Sequence, residues 1–221
     1  MTKISLSTKN KVIVFDLDDT LYKEIDFVKS GFRAIASAIG IEGAQDELLN
    51  WLQHGENAFE KLTAKYSIGY SISELLQLYR SHIPDIYLDN DAEECLNMLK
   101  EKARLGLITD GRTLTQWNKI QALGLTAFIQ QEDILVSEAF GYGKPAPQVY
   151  RFFEVKYPNC AYYYIGDNVT KDFVTANERG WTTVCLLDDG RNIHRQDMEV
   201  AKEFQPQYRV QKLSQVCSII D

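Results

Sequence analysis

Continuous apolar runs that stop at acidic or small polar residues are the feature that most constrains this chain. Lys11–Phe15 reads Lys-Val-Ile-Val-Phe and is followed at once by Asp16. The run has no polar alternation and is rich in β-branched residues, which is typical of a strand buried on both faces of a parallel sheet. Similar runs occur at residues 103–108, 134–136, 161–165 and 181–187. The sequence therefore predicts a sheet of buried parallel strands.

Helical patterns separate these runs along the chain. Apolar residues recur at three-residue spacing from Leu114 to Leu123, Pro147 can begin a second helix, and residues 173–179 form a third pattern that ends at Gly180. Near the C-terminus, the sequence adds a short edge strand at residues 208–210 and a last helix at 213–220. Alternation of strands and helices predicts an α/β fold with a doubly wound parallel sheet.

The alternation is interrupted between the first two predicted strands. From about residue 25 to residue 82 only helical patterns occur, with apolar positions such as Phe27, Ile35, Leu48 and Leu75. A segment of this length is far longer than a usual loop. The sequence therefore predicts an inserted helical domain.

Charge and hydropathy exclude some classes of protein. The chain has 221 residues and a net charge of −7, and its Lys and Arg residues are scattered, so no nucleic-acid partner is expected. No apolar stretch approaches the ~18 to 20 residues of a membrane span. Residues 1–10 are polar and lack an apolar signal core, which favours a cytoplasmic location. The sequence does not indicate an oligomeric state.

The cysteines, at positions 95, 160, 185 and 217, are too far apart in sequence to form a zinc pair or a redox CxxC motif. Reduced thiols in an intracellular protein are the natural interpretation. Cys185 lies inside an apolar run, where a buried and inert thiol is predicted.

Paired carboxylates follow the first predicted strand. Ligands of open α/β sheets bind at the carboxyl ends of the strands, and Asp16 and Asp18 lie at that edge. If their surroundings separate their pKa values, one carboxylate can be a nucleophile while the other holds a proton for a leaving oxygen. The alternative is an acidic turn that caps a helix.

Two further segments have the chemistry of a phosphate site. Thr109, Asp110 and Gly111 follow the second long apolar run and offer a hydroxyl and successive backbone N–H groups. Lys144 stands between glycines and prolines, where a rigid loop could direct its ammonium at a phosphoryl group. A tight strand-to-helix turn and a solvated loop lysine are the alternatives.

A second pair of carboxylates, Asp167 and Asp172, follows Gly166 at the end of another buried run. Hard oxygen ligands of this kind suit magnesium. The alternative is a turn with Asp172 in the first turn of a helix, where its charge is favoured.

Together and in this order, these segments resemble the four motifs of the haloacid dehalogenase (HAD) superfamily. The DxDxT, Ser/Thr, lysine and acidic metal motifs correspond to Asp16–Thr20, Thr109, Lys144, and Asp167 with Asp172. The resemblance extends over essentially the full chain. It implies a Rossmann-like catalytic core at residues 1–20 and 89–221, with an α-helical cap domain at residues 21–88.

The resemblance implies a phosphatase mechanism. Asp16 would attack phosphorus and form an aspartyl-phosphate, and Asp18 would protonate the leaving alcohol and then activate water. Thr109 and the amides next to it would hold phosphoryl oxygens, while Lys144 would offset charge. Mg2+ would be bound by Asp16, by the main-chain carbonyl of Asp18 and by Asp167, with Asp172 supporting the site.

Other activities of this superfamily stay open at this point. A phosphosugar mutase shares all four motifs. A haloacid dehalogenase lacks the second aspartate, which this chain has at Asp18. A phosphonatase needs a cap lysine, and a non-enzymatic binding protein would have lost a catalytic position. Lysines available in the cap are Lys23, Lys29, Lys61 and Lys65.

The predicted substrate is a small phosphorylated metabolite. The spacing of Asp167 and Asp172 resembles that of nucleoside monophosphate and acylneuraminate phosphatases, so a nucleoside monophosphate or a phosphosugar is expected. Candidates for substrate contacts or for solvated positions are Tyr22, Lys23, Glu24, Asp26, Phe27 and Arg112. The histidines at 54, 82 and 194 match no catalytic position of the superfamily.

Overall fold

The structure is a computed structural model that describes residues 10–220. Within this range, the strands form one parallel six-stranded sheet with the order β3-β2-β1-β4-β5-β6. The strands are β1 (Lys11–Phe15), β2 (Arg104–Thr109), β3 (Ile134–Val136), β4 (Ala161–Gly166), β5 (Thr182–Leu186) and β6 (Tyr208–Val210). The chain adds strands first on one side of β1 and then on the other. The order therefore reverses between β1 and β4, which is where such sheets bind ligands.

The first apolar run lies at the centre of the sheet, as its composition predicts. Ile13 and Phe15 point into the hydrophobic cluster on one face, and Val12 and Val14 point into the cluster on the other. All four side chains are completely buried. β1 therefore has apolar residues on both of its faces, as expected for the middle of a parallel sheet.

The helices begin and end close to the predicted positions. α8 has Pro147 as its first residue, and Gly124 and Gly180 follow α6 and α9 with positive φ angles of 64° and 75°. The predicted C-terminal helix is divided into a 3₁₀ turn and α10. The helices are α1 (Glu24–Ile39), α2 (Ala44–Gln53), α3 (Ala58–Lys65), α4 (Ile72–Ser81), α5 (Asn90–Lys100), α6 (Thr113–Ala122), α7 (Ser137–Phe140), α8 (Pro147–Lys156), α9 (Val174–Glu178) and α10 (Cys217–Ile220).

The inserted helices α1 to α4 have an apolar cluster of their own. Val28, Ile35, Leu48 and Leu75 belong to it, and it is distinct from the two clusters against the sheet. α1 and α4 approach closely at Gly31, where an added Cβ would lie 2.6 Å from a ring carbon of Tyr79. This separate packing supports a cap domain at residues 21–88, and those boundaries stay a prediction.

The sequence predictions about location concern a membrane span and an N-terminal signal core. Among residues 10–220, no helix combines the length and the apolar character that crossing a bilayer requires. The prediction about a signal core rests mainly on residues 1–9, which lie outside the described residues.

None of the cysteines in the described residues forms a disulfide bond. Cys185 lies in β5 and is completely buried. Burial raises its pKa to about 12, and the nearby Asp167 and Asp172 act in the same direction. The thiol therefore stays protonated at neutral pH, which fits an inert packing role.

Gly106 in β2 allows close packing of the sheet against α8. An added Cβ would lie 2.8 Å from Cζ of Phe153, a completely buried ring. We expect Gly106→Ala to lower the free energy of unfolding by about 1–3 kcal/mol, because the buried ring must move. Urea denaturation measures the change. Gly69→Ala is the control, since an added Cβ there meets no atom within 4 Å in the described residues. Equal midpoints for the two variants would contradict this packing.

Candidate active site

The carboxyl ends of β1, β2 and β4 bring the predicted residues to one edge of the sheet. Asp16 follows β1, Thr109 ends β2, and Asp167 follows β4. The Asp16 N–H donates to the Ile165 carbonyl oxygen at 2.8 Å, which continues the ladder between β1 and β4 by one hydrogen bond. All three side chains are buried. The strands therefore fix these groups at the point where the strand order reverses.

Three carboxylates form an acidic cluster within the described residues. Asp16, Asp167 and Asp172 each offer one oxygen, and these oxygens lie within 4.8 Å of one another. Asp172 Oδ2 accepts a hydrogen bond from the Asn168 N–H at 2.9 Å. An added Cβ on Gly166 would lie 2.9 Å from Cγ of Asp172. Glycine at the end of β4 therefore makes room for Asp172 in the cluster.

The electrostatics of the cluster favour a bound cation. Burial raises the pKa of Asp16 to about 7, with Lys144 opposing the shift. Burial also raises the pKa of Asp167 to about 9, and the charges of Asp16 and Asp172 add to the effect. Carboxylates in a buried site are destabilised unless positive charge compensates them. Their hard oxygen donors, this close together, fit a magnesium ion.

Lys144 supplies positive charge from within the protein. Its Nζ lies 2.6 Å from Asp16 Oδ1 and 2.9 Å from Asp172 Oδ1, and its side chain is completely buried. Burial disfavours the ammonium form, but the two carboxylates outweigh it and hold the pKa of Lys144 well above its usual value. Asp110 Oδ1 fixes the Lys144 loop by accepting from its N–H at 3.0 Å. The lysine is therefore charged and held against the predicted nucleophile.

Asp18 faces α6 and the start of the inserted helices. Its Oδ1 accepts from Lys119 Nζ at 2.7 Å and from the Tyr22 hydroxyl, and its Oδ2 accepts from Gln116 Nε2 at 3.0 Å. Burial raises the pKa of Asp18, but Lys119 and these hydrogen bonds outweigh it, so that the pKa lies below the usual value. The main-chain carbonyl of Asp18 stays a predicted metal ligand.

The predicted phosphate-binding groups have partners within the protein. The Thr109 hydroxyl accepts from Gln116 Nε2. The Gly111 N–H donates to Ser137 Oγ at 2.9 Å. Asp110 forms an ion pair with Lys171 at 3.2 Å. Contact of Thr109 and Gly111 with phosphate stays a prediction.

A cavity of about 180 Å³ opens at this edge of the sheet. Its lining is mainly polar and includes four predicted site residues, namely Asp16, Asp18, Asp110 and Asp167. Glu24, from the predicted substrate-contact segment 22–27, also lines it, whereas Arg112 lies at a separate cavity beside α4. The wall also contains Lys171 and His194, to which the sequence assigned no role at the site.

The buried face of α6 agrees only in part with the apolar spacing of its sequence. Ile120 is completely buried, but Leu114 is 57% exposed. Gln116 and Lys119 are buried instead, at 2% and 3% exposure, because they reach Asp18. They are one helical turn apart, so they lie on the same side of α6. Two long polar residues at this spacing, directly after a strand-end motif, are the signal that could have identified them.

Residues 188–196, which we call the strap, also contact the site. Residues 190–204 are mainly polar and show no clear helix or strand pattern in the sequence. Asn192 Nδ2 donates to Asp167 Oδ2 at 3.1 Å, and Gln196 Nε2 donates to the Asp167 carbonyl at 2.8 Å. Lys23, just before α1, donates to Asn192 Oδ1 at 2.8 Å. The strap therefore connects the acidic cluster with the beginning of the inserted helices.

Comparison with known proteins gives a consistent family match. A family model described as haloacid dehalogenase-like hydrolase matches residues 13–186. A glyceraldehyde 3-phosphate phosphatase of Methanocaldococcus jannaschii is 30% identical over 197 residues, which cover 80% of this chain and 85% of that protein.

Solved structures show the same fold. The putative HAD-hydrolase YfnB from Bacillus subtilis, in a structure bound to magnesium, matches with a TM-score of 0.71 at 22% identity and covers 96% of this chain and 99% of that chain. A 2-haloacid dehalogenase from Pseudomonas syringae pv. Tomato DC3000 matches with a TM-score of 0.63 at 20% identity, covering 95% and 97%. Because the second protein is described as a dehalogenase, likeness of fold alone does not select a reaction.

Proposed function

We propose that this chain, which belongs to the haloacid dehalogenase-like hydrolase family and is one of its phosphatases, uses Asp16 as its nucleophile. The proposed activity is that of a magnesium-dependent phosphomonoesterase. The observation that carries the proposal is the pairing of Asp16 with the buried Lys144 beside Asp167 and Asp172. Asp18 lies two residues further on, at the wall of the same cavity. This set provides a nucleophile, a second carboxylate for proton transfer, and positive charge for a phosphoryl group.

In the proposed mechanism, Asp16 attacks phosphorus and the phosphoryl group moves to its carboxylate. Asp18, which the ion pair with Lys119 keeps ionised in the free protein, takes up a proton and donates it to the leaving alcohol, so that the alcohol departs neutral. Asp18 then accepts a proton from a water molecule as the water oxygen attacks phosphorus. This step releases inorganic phosphate and regenerates Asp16. Lys144 offsets negative charge on Asp16 and on the phosphoryl group throughout. Thr109, with the amides of Asp110 and Gly111, holds phosphoryl oxygens, and the Gly111 N–H gives up its hydrogen bond to Ser137 when it does so.

Asp16, Asp167, Asp172 and the main-chain carbonyl of Asp18 are the proposed magnesium ligands, with Asp172 acting directly or through water. When bound, the ion supplies positive charge that lets an anionic ester approach these carboxylates. The need is physical, since two like unit charges 4 Å apart repel by about 4 kcal/mol at an effective dielectric constant of 20. The only described ammonium within 3 Å of the cluster is that of Lys144.

The proposed substrate is a small phosphosugar, with a triose phosphate as the first choice. The cavity measures about 180 Å³, which is below the ~300 to 1,000 Å³ typical of pockets for drug-sized ligands. A triose phosphate is a smaller molecule than a nucleoside monophosphate, so it suits a cavity of this size better. The M. jannaschii relative, described as a glyceraldehyde 3-phosphate phosphatase, supports the same choice.

The proposed function is tested by adding glyceraldehyde 3-phosphate to the protein with Mg2+ and measuring inorganic phosphate. We expect one phosphate for each substrate molecule consumed, and a kcat/KM at least ~10-fold above that for adenosine monophosphate, because the smaller ester fits the cavity. A rearranged sugar phosphate without free phosphate would indicate a mutase instead. Release of chloride from 2-chloropropionate at a comparable rate would indicate a dehalogenase.

A further inference from the structure

Lys119 is a buried lysine next to the site. Its Nζ lies 2.7 Å from Asp18 Oδ1 and 4.3 Å from the centre of the Phe27 ring. Only 3% of the residue is exposed. Lysines are almost never buried unless they are paired, because removing an ammonium from water is costly. The Asp18 carboxylate is therefore the group that keeps Lys119 in this position.

Lys119 acts on Asp18 together with Gln116. Lys119 contacts Oδ1 of Asp18, and Gln116 Nε2 contacts Oδ2 at 3.0 Å. The two donors project from the same side of α6, so the helix holds both oxygens of one carboxylate. Gln116 also donates to the Thr109 hydroxyl. Contacts to both oxygens restrict rotation of the carboxylate about its Cβ–Cγ bond.

Phe27 covers the side of Lys119 that faces the inserted helices. Its ring belongs to α1 and is buried. An ammonium close to an aromatic face is attracted by it, and the ring also keeps water away. Lys119 therefore lies where α6, the loop after β1 and the first inserted helix meet. Its position depends on how α1 is placed over the site.

We propose that Lys119 is a positioning residue for Asp18, which it holds in the orientation needed for proton transfer with the leaving group. The inference rests on the proposed role of Asp18 as the proton donor of a phosphatase. Among the described residues, Lys119 is neither part of the cavity lining nor a member of the acidic cluster. Lys119 acts through the carboxylate that it holds.

Leaving-group chemistry separates this role from simple structural support. Cleavage of an alkyl phosphate needs a proton donor because an alkoxide is a poor leaving group, whereas 4-nitrophenolate departs readily without one. The ratio kcat/KM reports the steps up to transfer of the phosphoryl group to Asp16. Misplacement of Asp18 should therefore lower kcat/KM for an alkyl ester much more than for the aryl ester.

The experiment compares Lys119→Met with the wild type on glyceraldehyde 3-phosphate and 4-nitrophenyl phosphate, both with Mg2+. We expect kcat/KM to fall about 100-fold for the alkyl ester and less than about 5-fold for the aryl ester. Lys119→Arg, which keeps a cation, should recover part of the loss on the alkyl ester. Lys65→Met is the matched control. Lys65 also forms a 2.8 Å ion pair and lies near aromatic rings, but in the inserted helices and with its side chain 50% exposed.

Equal losses on the two esters, or no loss on either, would overturn the positioning role. If Lys119→Met fails to fold by circular dichroism, the same ratio is measured with Lys119→Gln, which retains a hydrogen-bond donor. Failure of the proposed function looks different, because the wild type would then release no phosphate from either ester. That result would remove both proposals at once.

Discussion

Asp16→Asn is expected to fold like the wild type and to release phosphate at least ~1,000-fold more slowly. Asparagine has nearly the shape of aspartate, but its amide cannot form the phosphoryl linkage. The main-chain hydrogen bond from Asp16 to Ile165 does not depend on the side chain. The loss should therefore appear in kcat on both alkyl and aryl esters, in contrast to the selective effect expected at Lys119.

The stability of Asp16→Asn separates loss of the nucleophile from loss of the fold. Burial raises the pKa of Asp16 to about 7, above its unfolded value of 3.8. The folded state therefore binds a proton more tightly than the unfolded state does. Above the unfolded pKa this costs stability, and the cost grows until the pH passes the folded value. A neutral side chain avoids this cost, so we expect the melting temperature in chelator at pH 8 to be no lower than that of the wild type.

Asp46→Asn is a suitable control for this variant. Asp46 is an exposed carboxylate on α2, and its replacement should change neither turnover nor the melting temperature. Turnover by Asp16→Asn within tenfold of the wild type would exclude Asp16 as the nucleophile. A melting temperature many degrees lower would instead indicate that the carboxylate supports the fold.

Removal of divalent cations should have a similarly large effect. We expect EDTA to lower phosphate release by at least ~100-fold and added Mg2+ to restore it, because several kcal/mol of charge stabilisation are lost without the ion. The acidic cluster also predicts a response in the absence of substrate. Mg2+ should raise the melting temperature, since a ligand that binds only the folded state stabilises it.

Asp167→Asn is the informative variant for the metal. It removes one carboxylate of the cluster while keeping a side chain that can contact Asn192. Its melting temperature should respond to Mg2+ only at much higher concentrations than that of the wild type. Full activity in EDTA, or an unchanged Mg2+ response in Asp167→Asn, would contradict the proposed metal site.

The strand-end residues could be predicted from the sequence because local patterns determine them. An apolar run long enough for one buried strand also indicates where the strand ends, and Asp16, Thr109 and Asp167 lie at those ends. Parallel strands have their carboxyl ends on the same side of the sheet, so the meeting of these residues follows from the fold class. The inserted helices were predictable for a similar reason, since their apolar spacing is regular.

Lys119 and the strap could not be predicted because their positions depend on contacts distant in sequence. Lys119 is buried only because Asp18, 101 residues earlier, provides an opposite charge. A helix pattern assigns lysine to the solvent face, so the apolar spacing of α6 gave no sign that Lys119 is buried. Asn192 reaches Asp167 from a segment without regular structure, and polar composition alone gives no sign of such a contact.

The strap has a consequence for anyone who redesigns this protein. A polar, irregular segment after a sheet strand is usually the first choice for shortening a loop, inserting a tag or opening new termini. Here the same segment is tied at Asn192 to both Lys23 and Asp167, and the Ile193 N–H donates to Asp19 at 3.2 Å. A cut within residues 188–196 would therefore act on the active site, and exposed loops elsewhere on the protein are the safer places for engineering.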